Sequence, residues 1–236
     1  MTDELPPRRR RVSAPIDTAN AGGGVFERVK SAKRQSNSSA NWLRRQLNDP
    51  YVRRAKAEGW RARSAYKLLE LDEKFHLLSR GCRVIDLGAA PGGWSQVAVS
   101  RGAASVVGVD LLPIDPMPGA TFVEADFLVP GVSEQLIALL GGAPDIVLSD
   151  MAANTVGHRQ TDHLRTAGLA ESAVTFALDV LAPGGSFCAK VFQGGAEKAL
   201  LDALKLGFAE VKHAKPPSSR AESPELFVIA KGFRGR

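Results

Sequence analysis

Cysteine is nearly absent: the chain has only Cys82 and Cys188. Two cysteines beside apolar, strand-like residues make no disulfide framework and supply no metal-ligand spacing, so both read as reduced core thiols and no metal is expected. Long apolar runs are missing too. None approaches the ~20 residues that cross a bilayer, which excludes a membrane-spanning reading. The start is charged and Pro-rich, without the apolar stretch of a secretory signal, and Asp3, Glu4 and Asp17 are foreign to a transit peptide. A cytoplasmic location is therefore expected.

Acidic residues are scarce at one end only. Residues 1–67 carry 16 Lys+Arg against 6 Asp+Glu, a net of +10; the remainder carries 15 against 19, a net of −4. A basic end on a mildly acidic body suits a polyanionic partner, RNA or DNA. A solubilising tail is the alternative, but the positive charge continues into sequence that can fold. Residues 1–36 hold Pro6-Pro7, the run Arg8 to Arg11 and Gly22 to Gly24, with few bulky apolar residues. Such a segment cannot bury enough surface to offset its ordering entropy, so a disordered basic arm is expected there. Residues 37–236 read as one domain that opens with a basic helical segment at about 38–80.

In that segment Ser38 and Ser39 are N-cap candidates. Asp49-Pro50 starts a helix that Gly59 ends, and apolar residues recur at helical spacing from Arg63 to Phe75. Arg53, Arg54, Arg61 and Arg63 are interleaved with Tyr51, Trp60 and Tyr66. Cations beside aromatics suit a nucleic-acid face, where phosphates pair with the cations and bases stack on the rings. The alternative is a solvated helix face. Strands then alternate with helices: strands at 83–87, 105–110, 120–124, 145–149, 185–192, 208–213 and 226–231, helices at 92–101, 131–140, 162–181 and 195–206. This alternation implies an α/β fold, a mostly parallel sheet with helices on both faces. The last two strands are joined by a Pro- and Ser-rich link, Ala214 to Glu225, with no room for a helix, so that pair is expected to be antiparallel.

The first strand runs out through Asp86 into Leu87-Gly88-Ala89-Ala90-Pro91-Gly92-Gly93-Trp94 and then a helix. Gly88 can turn the chain and Gly92-Gly93 admit a ligand close to the backbone. The spacing departs from G-x-G-x-x-G, which weakens a dinucleotide reading and favours an adenosine-binding methyltransferase loop. Asp110 ends the second strand roughly 20 residues on, where an acid can accept both ribose hydroxyls. Asp126 follows the third strand, placed to bond an adenine amino group, and Asp150 ends the fourth. Acids at successive carboxyl ends lie where open α/β sheets bind ligands, and they favour a cationic sulfonium; helix caps or loop acids are the alternative. Asp150 is not followed by the two prolines and aromatic of amino-methyltransferases, which argues against a base nitrogen as target. Lys190 sits in an apolar fifth strand, costly unless paired or deprotonated.

These stretches together resemble the FtsJ/RrmJ (RlmE) family of large-subunit ribosomal RNA 2′-O-methyltransferases. The resemblance rests on Asp86 to Gln96, Asp110-Leu111-Leu112-Pro113, Ser149-Asp150-Met151-Ala152, Leu181 to Phe187, Lys190 to Gly194, and Lys215-Pro216 with Ser218-Ser219-Arg220. It implies a Rossmann-like class I methyltransferase domain, a seven-stranded sheet with the last strand antiparallel. It implies a catalytic tetrad at Lys67, Asp150, Lys190 and Glu225, and S-adenosylmethionine contacted by Gly92, Trp94, Asp110, Asp126 and Asp150. The implied substrate is a uridine ribose of large-subunit rRNA, in the assembled or assembling subunit. The sequence leaves the oligomeric state open, with a monomer favoured. Ala153 departs from the family's usual Pro. In-line transfer needs the ribose hydroxyl positioned and deprotonated; Lys190 would accept that proton, Asp150 would orient it, and Lys67 and Glu225 would hold ribose and phosphate. A nicotinamide-dependent oxidoreductase, a non-catalytic RNA-binding assembly factor and a tRNA- or cap-directed relative are the competing readings.

Overall fold

A computed structural model describes residues 48–152, 159–192 and 197–235. The arm expected at 1–36, the Ser38/Ser39 cap and Ala153 lie outside the described residues. Helix α1 spans Pro50–Glu58; Asp49 caps it by accepting from the Tyr51 N–H at 3.0 Å, Pro50 opens it, and Gly59 ends it at φ 76°. Helix α2, Ala65–Phe75, turns Tyr66, Leu68, Leu69 and Leu71 inward and stops at His76 with φ 52°.

The alternating unit follows: β1 Arg83–Leu87, α3 Gly93–Ser100, β2 Ser105–Asp110, β3 Thr121–Glu124, α4 Val132–Leu140, β4 Ile146–Ser149, α5 Arg159–Val180, β5 Ser186–Phe192, α6 Glu197–Gly207, β6 Phe208–Ala214 and β7 Glu225–Phe233. The seven strands form one sheet in the order β3-β2-β1-β4-β5-β7-β6. The pairs among β1 to β5 are parallel, while β7 inserts between β5 and β6 and runs antiparallel to both. This is the Rossmann-like arrangement expected. β7 is longer than the expected 226–231, because it pairs with β5 from Glu225 to Lys231 and with β6 from Phe227 to Phe233.

Side chains of period two divide between the two faces. Ile85, Leu87, Val147, Phe187, Ala189, Val228 and Ala230 join Leu136 of α4, Val174 of α5 and Leu204 of α6. Val84, Ile146, Leu148, Cys188, Phe227 and Ile229 join Tyr66 and Leu68 of α2 and Val97 of α3. The N-terminal basic segment is therefore part of the second face. Both cysteines are free and buried, and burial pushes both thiols up from their usual range. Among the described residues no helix is long and apolar enough to cross a membrane.

Candidate active site

Parallel strands bring the carboxyl ends of β1, β2, β4 and β5 to one rim, the rim where open sheets bind ligands. Four charged side chains meet there. The register pairs Lys190 with Phe227 and Phe192 with Glu225. Residues two apart share a face, so Cys188, Lys190, Glu225 and Phe227 point toward α2, which carries Lys67. Lys67 Nζ lies 3.0 Å from each oxygen of Glu225 and 3.7 Å from Asp150 Oδ1. Lys190 Nζ lies 3.1 Å from Asp150 Oδ1, and its hydrogen bond goes to the Asp150 backbone carbonyl at 2.7 Å. Lys67 and Lys190 are 8% and 7% exposed, so two ammonium groups and two carboxylates neutralise one another in a site nearly closed to water. Burial alone would raise the Asp150 carboxyl; Lys190 first and then Lys67 overcome it and hold the group below the usual carboxylate range. The structure thus brings together the four residues read as a tetrad.

The Gly loop borders this cluster. Gly88 turns at φ 72°, and a Cβ there would come 2.3 Å from Met151 Cγ, so the loop and the residue after Asp150 are in contact. Gly92, at φ 99°, would place a Cβ 3.0 Å from Arg61 Nη1. Asp110 accepts from Ala90 N–H and Leu112 N–H, each at 2.9 Å. Those bonds fix the carboxylate between two loops, and each oxygen keeps a second lone pair for a ribose hydroxyl. Asp126 is exposed and accepts from Leu128 N–H at 3.0 Å. Trp94 is buried, its indole donating to the Ser64 carbonyl at 2.9 Å and lying 5.7 Å from the Phe227 ring. Its side chain is thus taken up by packing, while its backbone N–H lies in the first turn of α3, among the helix-start donors that have no intrahelical acceptor. Asp86, 1% exposed, accepts from the Ser95 hydroxyl at 2.7 Å; burial pushes it up to about 7, Ser95 opposes this, and Asp150 adds to it. Close-approach glycines, an acid fixed between two loops and further acids around the rim fit a cationic adenosine cofactor. No group of three or more His, Cys, Asp or Glu able to hold a metal occurs among the described residues.

The four arginines of the basic segment differ in placement. Arg53 is exposed. Arg54 pairs with Glu58 at 2.8 Å and lies over the Tyr66 ring at 4.7 Å. Arg63 pairs with Asp49 at 3.0 Å and donates to the Ser218 carbonyl. Arg61 reaches over the Gly loop to the carbonyls of Pro91, Asp115 and Pro116. The sequence left other supports unseen. Ser219 donates to Glu225 Oε1 at 2.7 Å, Ser218 to Glu70 Oε2 at 2.7 Å, and Arg220 to Asp49 Oδ2 at 2.9 Å. The first is local to the β6–β7 link; the other two fasten that link to α2 and to the cap of α1, joining residues far apart in the chain, and no local pattern announces them.

The FtsJ-like methyltransferase family model matches residues 60–233. The chain is 63% identical over 211 residues to ribosomal RNA large subunit methyltransferase E of Granulibacter bethesdensis, covering 89% of this chain and 92% of that protein. It is 63% identical over 215 residues to the protein of the same name from Sphingopyxis alaskensis, covering 91% and 94%. Among solved structures, a Plasmodium falciparum protein described as a ribosomal RNA methyltransferase superposes with a TM-score of 0.67 at 30% identity, over 75% of this chain and 100% of that one. A Streptococcus thermophilus protein described as a hemolysin matches at 17% identity and a TM-score of 0.55, over 75% of this chain and 68% of that one, a likeness of fold alone. A family match that takes in every strand of the sheet, with relatives of this identity along most of their length, shows that the chain belongs to the FtsJ-like methyltransferase family.

Proposed function

We propose that this protein methylates the 2′-hydroxyl of a uridine in large-subunit ribosomal RNA, with S-adenosylmethionine as donor and Lys190 as proton acceptor. The observation that carries the reading is the buried cluster of Lys67, Asp150, Lys190 and Glu225 against the Gly loop. The names of the relatives support large-subunit rRNA as the substrate.

When bound, S-adenosylmethionine supplies a methyl group already activated by its sulfonium. Gly92 and the backbone of Trp94 would receive it, with Asp110 on the ribose, Asp126 toward the adenine and Asp150 beside the charged end. The ribose hydroxyl is a poor nucleophile at neutral pH, so the remaining task is to hold it and remove its proton. Lys190, once its resting ammonium has released a proton to solvent, takes the hydroxyl proton at Nζ and returns to the ammonium form; its contacts with the side chain and carbonyl of Asp150 fix where Nζ stands. Lys67, gripped by both Glu225 oxygens, holds the ribose and its phosphate, and Ser219 keeps Glu225 in place. RNA docks on the basic segment, with Arg53 on phosphate and Arg54 and Arg63 building the face, while Arg61 is turned onto the Gly loop. The enzyme works as a monomer in the cytoplasm, on the large subunit or its precursor.

Mass-spectrometric mapping of ribose methylation, in rRNA and tRNA from cells with and without the protein, tests this. One 2′-O-methyluridine should vanish from large-subunit rRNA. Unchanged large-subunit rRNA with a lost tRNA methyl would assign the chemistry to another RNA.

A further inference from the structure

Arg61 stands three residues past the end of α1 and folds back across the Gly loop. Nη1 donates to the Pro91 carbonyl at 3.2 Å and the Asp115 carbonyl at 2.7 Å, and Nη2 donates to the Pro116 carbonyl at 2.8 Å. Its own backbone N–H donates to Gln96 Oε1 at 2.8 Å, while Gln96 Nε2 donates to the Gly59 carbonyl at 2.8 Å. The guanidinium also lies 5.8 Å from the centre of the Phe122 ring and packs on Gly92. One side chain therefore joins three segments: the end of α1, the Gly loop, and the loop that follows Asp110. The two loops it joins are those whose N–H groups, from Ala90 and Leu112, hold the Asp110 carboxylate.

Three carbonyls in different directions need the planar fork of a guanidinium. A lysine, a point charge on a flexible stem, does not reproduce it. A phosphate contact has the opposite character, since its electrostatic share survives replacement of Arg by Lys. We infer that Arg61 is a positioning residue for the cofactor: it sets the gap between the Gly loop and the loop after Asp110, the slot in which the adenosine ribose lies. This rests on the reading of that slot as the S-adenosylmethionine site.

The test titrates S-adenosylmethionine calorimetrically into the full-length wild type, Arg61→Ala and Arg61→Lys, and measures RNA binding of each across a salt series. Both variants should bind the cofactor about tenfold or more weakly, as loss of one or more structural hydrogen bonds implies, with a matching rise in its KM. Their kcat at saturating cofactor, and the salt slope of RNA binding, should match wild type. Rescue by Arg61→Lys overturns the inference, as does unchanged cofactor affinity with a slope reduced by roughly one phosphate contact. A wild type that binds no S-adenosylmethionine would sink the functional reading itself, an outcome visible before any variant is made. Should Arg61→Ala fail to fold, Gln96→Ala serves the same comparison: removing the support beneath Arg61 should weaken cofactor binding and leave the slope alone, and unaltered affinity refutes the inference.

Discussion

Asp86 and Asp150 end neighbouring strands, face the same rim and are driven in opposite directions. Asp150 has two ammonium partners and is held low; Asp86 has a hydroxyl and no cation, and burial carries it up to about 7. This difference has a consequence for stability. The folded protein keeps the Asp86 proton up to about 7, whereas the unfolded chain releases it near the ordinary aspartate value of 3.8. Between those pH values the folded state binds more protons than the unfolded one, so this group's contribution to stability falls as pH rises and levels off above about 7. Asp86→Asn should remove that decline. Relative to the variant, wild type should lose up to about 4 kcal/mol between pH 4 and pH 8 in chemical denaturation. A difference between the two that does not change with pH would show that Asp86 is ionised throughout. At this scale the sequence was informative where chemistry follows strand ends: Asp86, Asp110, Asp150 and Lys190 could be placed by counting along strands. Arg61 could not, because carbonyls, its partners, look alike in every residue.

Elements were legible where period and punctuation agree. Asp49-Pro50 and Gly59 bound α1 as their cap chemistry requires, and the β-branched runs became β1, β2 and β4. The path of β7 was legible only as antiparallel to its predecessor. Its insertion between β5 and β6 depends on long-range pairing, and that insertion brings Glu225 opposite Phe192, in reach of Lys67. The turn after β1 makes the same point about element joining. Gly88 is needed both for its φ of 72° and because Met151 occupies the space a side chain would take. Gly88→Ala should cost roughly 2–4 kcal/mol, combining left-handed backbone strain with overpacking. Urea denaturation measures it, and a loss under about 0.5 kcal/mol would mean that the loop relaxes freely away from Met151.

Over the whole molecule, charge is divided between a basic end and a mildly acidic body, and the fold turns part of that basic end into a packed face. Tyr51, Ala55, Tyr66 and Leu68 are buried against the sheet, so the segment is part of the scaffold. Its cations therefore separate by contact, which composition alone cannot reveal. Arg53→Ala should lower the slope of log affinity for RNA against log salt by roughly 0.7–0.9, the share of one phosphate, without altering cofactor affinity. An unchanged slope would remove Arg53 from the RNA face. The central claim, that a buried lysine on the carboxyl rim accepts the ribose proton, is tested most directly by single-turnover methyl transfer in Lys190→Ala alongside cofactor titration. The rate should fall by roughly 10²–10⁴, the usual contribution of a positioned base, while cofactor affinity stays at the wild-type value. A variant that transfers methyl within about tenfold of the wild-type rate would contradict the account.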